Sequence, residues 1–313
     1  MKRPLSIVFM GTSGFAVSIL QSVYDHYHLI AVVTQPDRPR GRGRVFSMSK
    51  VKERSLKLDI SVLQPERVRD PAFIDEIRRL DPRLIVVAAY GQILPGALLE
   101  VPEMGCVNVH ASLLPKYRGA APINWAIAEG ESETGVTTIL MDTGMDTGPI
   151  FLSRAVPIDP KDTASSLEER LAKVGAEIIV ETIRGLERGD IRPIFQDSSR
   201  ATYAPPFKKQ DGWIDWSLPA GVLHQRIRAL NPWPGTFTRM GGKMLKIFWA
   251  EVDHKPQSQT PGCIVDVGKE GIRVATGEGH LLLQEIQLEG KKRLSVREFL
   301  LGCPVEPGAA LGC

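Results

Sequence analysis

Apolar residues fall first into short unbroken runs separated by stretches of helical period, and later into short alternating runs punctuated by glycine. Ser6-Ile7-Val8-Phe9-Met10 is apolar at nearly every position, the habit of a parallel strand covered on both faces. Gly11-Thr12-Ser13-Gly14 turns from it into a helix carrying Ala16, Ile19, Leu20 and Val23, and Leu29 to Thr34 is a second strand. This opening is the first βαβ unit of a doubly wound sheet. Gly11 and Gly14 make G-x-x-G rather than the dinucleotide fingerprint, so NAD binding is not expected. The alternation continues with a helix from Val51 to Leu58, a short strand at Val62-Leu63, an amphipathic helix from Phe73 to Leu80 and an apolar strand from Leu84 to Ala89. A strand around Asn108, a helix from Pro122 to Ala128, a strand at Val136 and a hairpin-like return from Ile150 to Val156 follow. Leu167, Leu171, Val174, Ile178 and Ile179 then give helical spacing between Ala164 and Leu186.

Residues 192–209 are proline-rich, polar and aperiodic, and read as a connection. Beyond them Met244 to Val252 alternates, and Gly262 to Val267, Gly271 to Thr276 and Leu281 to Leu288 are short strands at regular spacing, the pattern of a small barrel. The expected architecture is α/β: a Rossmann-like doubly wound parallel sheet over 1–191, a linker over 192–209, and a small OB-like β-barrel over 210–313. Trp213, Trp216, Trp233 and Trp249 fall in the last part and are expected in its core. The glycine- and proline-rich tail from Gly302 to Cys313 is expected to fray.

Composition adds bounds. With 313 residues, 43% hydrophobic and 24% charged, the chain has the size of two globular domains. No apolar run approaches the ~20 residues of a membrane helix. Lys2-Arg3 followed by Leu5 to Met10 starts like an export segment, but Gly11 ends the run too early. Cys106, Cys263, Cys303 and Cys313 are scattered, and no H-x-x-x-H or Cys/His cluster is present. A reduced, metal-free cytoplasmic protein without a membrane association is expected. The net charge of +3 is uninformative, but between Gln35 and Lys57 eight basic residues face two acidic ones. That local patch is either a solvated charge run or a phosphate-binding surface.

The candidate chemistry lies between Gly105 and Gly148. On a strand, Asn108, His110 and Ser112 share one face, and Asn108 and His110 stand roughly 6.5 Å apart at about 3.3 Å per residue. Asp146 follows in the Asp142 to Gly148 turn. An amide, an imidazole and a carboxylate together supply what acyl transfer between two nitrogens requires: donors for a developing oxyanion and a group to move a proton. Taken singly, the Asn-x-His pair also reads as a structural hydrogen-bonded pair, and the aspartate as turn chemistry.

The combination narrows this. Asn108 to Pro115 followed by Met141 to Gly148 resembles the signature of the 10-formyltetrahydrofolate-dependent formyltransferases. The resemblance implies that Asn108, His110 and Asp146 form the catalytic triad. It also implies that Ser112, Leu113, Leu114 and Pro115 contact the folate, with Tyr90, Gly91, Gln92, Ile93 and Leu94 as the other wall. Thr34 to Pro39 with Gly41-Arg42-Gly43-Arg44 looks like the insertion loop of the methionyl-tRNA branch. Ile227 to Pro234 and Gly271 to Gly277 match that branch's carboxy-terminal domain. The expected substrates are therefore 10-formyltetrahydrofolate and initiator methionyl-tRNA, acting on a monomer. Arg38, Arg40, Arg42, Arg44, Lys50, Lys52, Lys208 and Lys209 are the expected tRNA contacts. The rival readings are formylation of a small amine such as a sugar nucleotide, and an RNA-binding protein on an inactive scaffold. One departure stands out: Ser49-Lys50-Val51-Lys52 replaces the usual Ser-Pro-Val-Lys, which removes a fixed φ at the exit of the basic loop.

Overall fold

The computed structural model describes residues 5–40, 45–255 and 258–312. Two compact units are formed: Met1–Pro122 with Glu133–Pro157 and Glu168–Pro205, and Ile123–Ser132 with Ile158–Leu167 and Pro206–Cys313. Two stretches ahead of residue 191 thus cluster with the carboxy-terminal sequence.

In the first unit β1 (Ser6–Gly11) is buried from Ile7 onward. It leads to α1 (Gly14–His26), which buries Phe15, Ala16, Ile19, Leu20 and Val23. Gly11 has no room for a side chain: a Cβ there would stand 2.7 Å from the Phe9 ring and 2.8 Å from Ala16. The tight strand-to-helix turn therefore requires glycine. β2 (His28–Val33) runs parallel to β1.

Among the described residues of the basic stretch, two short segments pair as strands. β3 (Arg38–Arg40) and β4 (Val45–Ser47) pair antiparallel, Arg38 opposite Ser47 and Arg40 opposite Val45. Arg42 and Arg44 lie outside the described residues. α2 (Lys50–Lys57) is capped by Ser49, whose Oγ accepts the Lys52 N–H at 3.0 Å and shares a 2.7 Å hydrogen bond with Thr34 Oγ1. Lys50 is thus the first helical residue, the position that favours proline elsewhere. The serine cap keeps the loop's exit in register without it.

β5 (Val62–Leu63), α3 (Pro71–Leu80), β6 (Leu84–Ala88), α4 (Gly96–Leu99), β7 (Cys106–His110), α5 (Pro122–Ala128), β8 (Glu133–Leu140), β9 (Ile150–Pro157) and α6 (Ala164–Arg188) follow. The sheet order is β5-β2-β1-β6-β7-β8-β9. β5 to β7 are parallel across this order, whereas β8 and β9 run antiparallel. The chain reverses direction across the sheet between β1 and β6, so a crevice opens at the carboxyl ends of those strands. β7 sits where parallel pairing gives way to antiparallel pairing, and every one of its residues is buried.

The second unit holds α7 (Ala220–Ala229), β10 (Thr236–Met240), β11 (Lys243–Asp253), β12 (Ile264–Gly268), β13 (Gly271–Ala275), β14 (His280–Leu288), β15 (Leu294–Ser295) and α8 (Val296–Gly302). Its antiparallel order is β10-β11-β14-β13-β12, with β15 also on β14. Leu223, Ile227, Leu245, Ile247, Leu281, Leu283 and Ile286 form its core. The tail does not fray through residue 312. Ile264 N–H donates to Ala309 O at 2.8 Å, Leu311 N–H to Gly262 O at 2.8 Å, and Gly312 N–H to Arg239 O at 2.9 Å. It thereby joins the two ends of the strand order, closing the barrel. Leu311 is buried in the core as a result. Trp216 is core, its Nε1 donating to Thr238 Oγ1 at 3.1 Å. Trp213 and Trp233 are not core: both rings are exposed. Among the described residues no helix is long and apolar enough to cross a membrane.

Candidate active site

Asn108 and His110 leave the same face of β7, two residues apart, opposite Ile139 and Thr137 of β8. Both are more than nine-tenths buried. Asp146 reaches them from the turn that follows β8. Its Oδ1 accepts from Asn108 Nδ2 at 3.3 Å, and its Oδ2 accepts the Gly119 N–H at 2.8 Å and stands 3.5 Å from His110 Nδ1. One carboxylate thus gathers an amide, an imidazole and a backbone N–H.

The other imidazole nitrogen fixes the proton arrangement. His110 Nε2 lies 2.9 Å from the Tyr117 carbonyl, which can only accept, so Nε2 carries a hydrogen. A neutral ring would then turn a bare Nδ1 toward the Asp146 oxygen. Asn108 uses one amide hydrogen on Asp146 and has a second to give. His110, expected to offer a donor to an oxyanion, instead has Nε2 engaged internally and only its Nδ1 edge turned to the site.

The backbone here is strained. Among the described residues Asp59, Asp81, Ala89, Tyr117 and Asp146 are the non-glycine residues with positive φ, and the last three border this site, at 44°, 60° and 54°. Each such residue costs about 1–3 kcal/mol and persists only where its surroundings over-determine it. Gly119, with φ 122°, aims its N–H at Asp146, and a Cβ there would stand 2.8 Å from the Ala204 carbonyl.

The segments expected to hold folate divide by orientation. The Ser112 side chain is fully buried and its hydroxyl donates to Lys116 O at 2.6 Å, so it shapes the turn rather than facing a ligand. Thr137 Oγ1 donates to Ser112 O at 2.7 Å and accepts the Leu114 N–H at 3.2 Å, tying the turn to β8. Leu114 is buried, Leu113 and Pro115 are half-buried, and the Leu114–Pro115 bond is cis. Tyr90 and Leu94 point into the apolar core, where burial pushes the Tyr90 phenol up to about 12. Gly91, with φ 89°, and Ile93 face outward.

An amide network knits the carboxyl ends of β1, β2, β5 and β6. Thr12 Oγ1 donates to Tyr90 O at 2.8 Å, and Gln35 Nε2 to the same carbonyl at 3.3 Å. Gln92 Oε1 accepts the Val68 N–H at 2.9 Å while its Nε2 reaches Gln35 Oε1 at 3.3 Å. Gln64 Nε2 donates to Asp37 Oδ1 at 2.9 Å, and Lys52 Nζ to Asp37 Oδ2 at 2.6 Å. Lys52, then Gln64, hold the Asp37 carboxyl below its ordinary value. Lys52, expected as a tRNA contact, is therefore turned inward onto Asp37. Of the other basic residues, Arg38, Lys208 and Lys209 are exposed, and Lys50 is exposed beside Glu53 at 3.5 Å. Arg40 takes part in the hairpin through its backbone. Cys106, at the buried start of β7, has its thiol pushed up to about 12 by burial and is chemically inert.

Sequence reasoning missed Gln35, Tyr117, Gly119, Thr137 and Gln196. Gly119 alone carried a signal, as a glycine inside a charged turn. Gln35, Tyr117 and Gln196 act through bonds between aperiodic segments, for which no local pattern exists, and Thr137 sits on β8 but acts on the turn after β7, which the strand's period does not reveal.

Comparison with known proteins adds the relationships. A family model described as "Formyl transferase" matches residues 5–183, and one described as "Formyl transferase, C-terminal domain" matches residues 206–304. The methionyl-tRNA formyltransferase of Pelobacter propionicus is 53% identical over 98% of this chain and 96% of its own length. That of Trichlorobacter lovleyi is 50% identical over 97% and 96%. Among solved structures, an N-formyltransferase from Helicobacter canadensis in complex with folinic acid and dTDP-3-aminofucose has a TM-score of 0.65 at 17% identity, over 93% of this chain and all of that one. HypX from Aquifex aeolicus in complex with tetrahydrofolic acid has a TM-score of 0.62 at 19% identity, over 94% of this chain and 46% of that one. At such identities these structures share the fold.

Proposed function

The chain belongs to the methionyl-tRNA formyltransferase family, and from that premise we propose that it transfers the formyl group of 10-formyltetrahydrofolate to the α-amino group of initiator methionyl-tRNA. The observation that carries the chemistry is the single carboxylate of Asp146 meeting Asn108, His110 and Gly119. The observation that supports the substrate reading is identity near one half with proteins named methionyl-tRNA formyltransferase, along nearly the whole chain.

The neutral amine attacks the formyl carbon and forms the new C–N bond, and the carbonyl electrons move onto oxygen. The second amide hydrogen of Asn108 is the donor to that oxyanion. The His110–Asp146 pair takes the proton released by the attacking amine and returns one to the departing nitrogen as the old C–N bond breaks. The products are formylmethionyl-tRNA and tetrahydrofolate. Burial raises the value of each donor, because the charge that develops is not shared with water. The residues present fit a flat, amide-bearing heterocycle: Gly91 lacks a side chain and lies beside the Gln35 and Gln92 amides, with the Leu113 to Pro115 turn as the second wall. Arg38, Lys50, Lys208 and Lys209 are suited to phosphates, and Arg42 and Arg44 keep the role implied by resemblance. A translation substrate supports a cytoplasmic setting, and the reading takes Asn108, His110 and Asp146 of one chain as the catalytic set of a monomer.

The test is incubation with charged initiator tRNA and 10-formyltetrahydrofolate, with dTDP-amino sugar as the competing acceptor. Formylmethionine is expected, with the amino sugar left unmodified. Formylation of the sugar alone would replace the reading with small-amine transfer, and formylation of neither would mark the scaffold as inactive.

A further inference from the structure

Asp146 holds a left-handed backbone conformation that no glycine relieves, with φ 54°. Something must keep that carbonyl and the next turn in place while the carboxylate faces Asn108 and His110. The structure shows one candidate. Gln196 Nε2 donates to Asp146 O at 2.8 Å and to Gly148 O at 2.7 Å, so both of its amide hydrogens are spent on this turn. Its Oε1 accepts from Arg118 Nε at 3.1 Å and Nη2 at 2.8 Å. Arg118 is 2% exposed and also reaches Ser198 Oγ at 3.4 Å. Its backbone is pinned as well: its N–H donates to Thr202 O at 2.9 Å, and its carbonyl accepts from Ala204 at 2.7 Å. The residue after it is Gly119, whose N–H holds Asp146 Oδ2.

We infer that Gln196 and Arg118 are positioning residues, a clamp that sets the Asp146 carboxylate for the reaction without touching the reacting atoms. The clamp grips Asp146 from two sides: Gln196 takes its main chain, and the rigid Arg118–Gly119 segment takes its side chain. A buried guanidinium matched to a neutral amide orients that amide uniquely, because Oε1 must face Arg118 and Nε2 must then face the two carbonyls. The inference rests on the formyl-transfer reading for its kinetic consequence and on geometry alone for its structural one.

The test is a double-mutant cycle, read together with amide exchange. Gln196→Ala is expected to lower kcat on the order of a hundredfold, as small misplacements of reacting groups do, with KM for both substrates little changed. Gln196→Glu keeps the acceptor for Arg118 but turns a carboxylate toward two carbonyls, and is expected to lose as much. In an Asp146→Asn background, Gln196→Ala is expected to cost nothing further. By hydrogen exchange, Gln196→Ala is expected to speed exchange at the Gly119 amide while the strands of the sheet stay protected. A loss that multiplies with that of Asp146→Asn would overturn the clamp, as would unchanged kcat with a lowered Tm, or an unchanged Gly119 amide. Wild-type protein that makes no formylated product would remove the formyl-transfer reading only, since Gly119 exchange still decides whether the clamp exists.

Discussion

Replacing Asp146 by asparagine keeps the shape of the side chain and removes its charge. In the native site Oδ1 accepts from Asn108 at 3.3 Å and Oδ2 from Gly119 at 2.8 Å, so two donors converge on two acceptors. An asparagine offers one oxygen and one NH2, so one of those donors must face another donor. Leaving a buried donor unmatched costs about 1–3 kcal/mol, and the fall in stability is expected in that range. The effect on turnover is larger and separate. Without the carboxylate the His110 Nδ1 edge has no proton partner, and loss of an acid–base group lowers rates by about 10²–10⁴-fold. At about 1.4 kcal/mol per tenfold, that is roughly 3–6 kcal/mol on the barrier. The assay is kcat for formylation of charged tRNA at saturating folate, on protein shown by denaturant titration to be folded. A folded Asp146→Asn enzyme within about threefold of the native kcat would refute the proton-handling role.

Three further outcomes are expected. Lys50→Pro places proline at the first position of α2, where Ser49 already caps and no intrahelical N–H bond is lost; stability should rise by about 0.4–1 kcal/mol in thermal melts, and a fall would mean the basic hairpin needs the lysine. Leu311→Ala should cost about 2–5 kcal/mol in denaturant unfolding, because the side chain is buried in the second unit's core, whereas an unaffected midpoint would mean the tail is detached. Burial, then the nearby Arg228 charge, pushes His224 down to about 4. Its unfolded form binds a proton near 6.5, so stability should fall as pH drops from about 6.5 to about 4, by ~3 kcal/mol at most. His224→Phe should flatten that slope, and an unchanged slope would assign it to other groups.

Much of this site was legible because strands have a period. Asn108 and His110 fall on one face of β7 whatever the register, and a D-x-G turn after a β-branched run marks the return that brings Asp146 back. The parts that were not legible are held by contacts without local pattern. Gly119 and Asp146 are 27 residues apart, Gln196 and Asp146 50 apart, and Arg118 and Gln196 78 apart. Such side-chain bonds join aperiodic turns, and the segment around Gln196 shows in sequence only as prolines and polar residues. The three-residue strands of the basic hairpin are too short, and too rich in arginine and proline, to show alternation. The closing tail has the same difficulty, since its order comes from two strand edges that already exist. Trp213 and Trp233 were misjudged because size and hydrophobicity favour burial on average, whereas position in a barrel decides each ring. The residues of the Tyr90 to Leu94 segment diverge because an exit loop, unlike a strand, gives no rule for which side chains turn inward.

The most direct measurement is the single-turnover rate of Asn108→Ala with both substrates bound. Its second amide hydrogen is assigned to the oxyanion, which exists only as the formyl carbon becomes tetrahedral. The chemical step should slow by about 10²–10³-fold while the Kd values for methionyl-tRNA and for the folate stay unchanged. A chemical step as fast as in the native enzyme, or a slowing fully explained by weaker binding, would contradict the assignment.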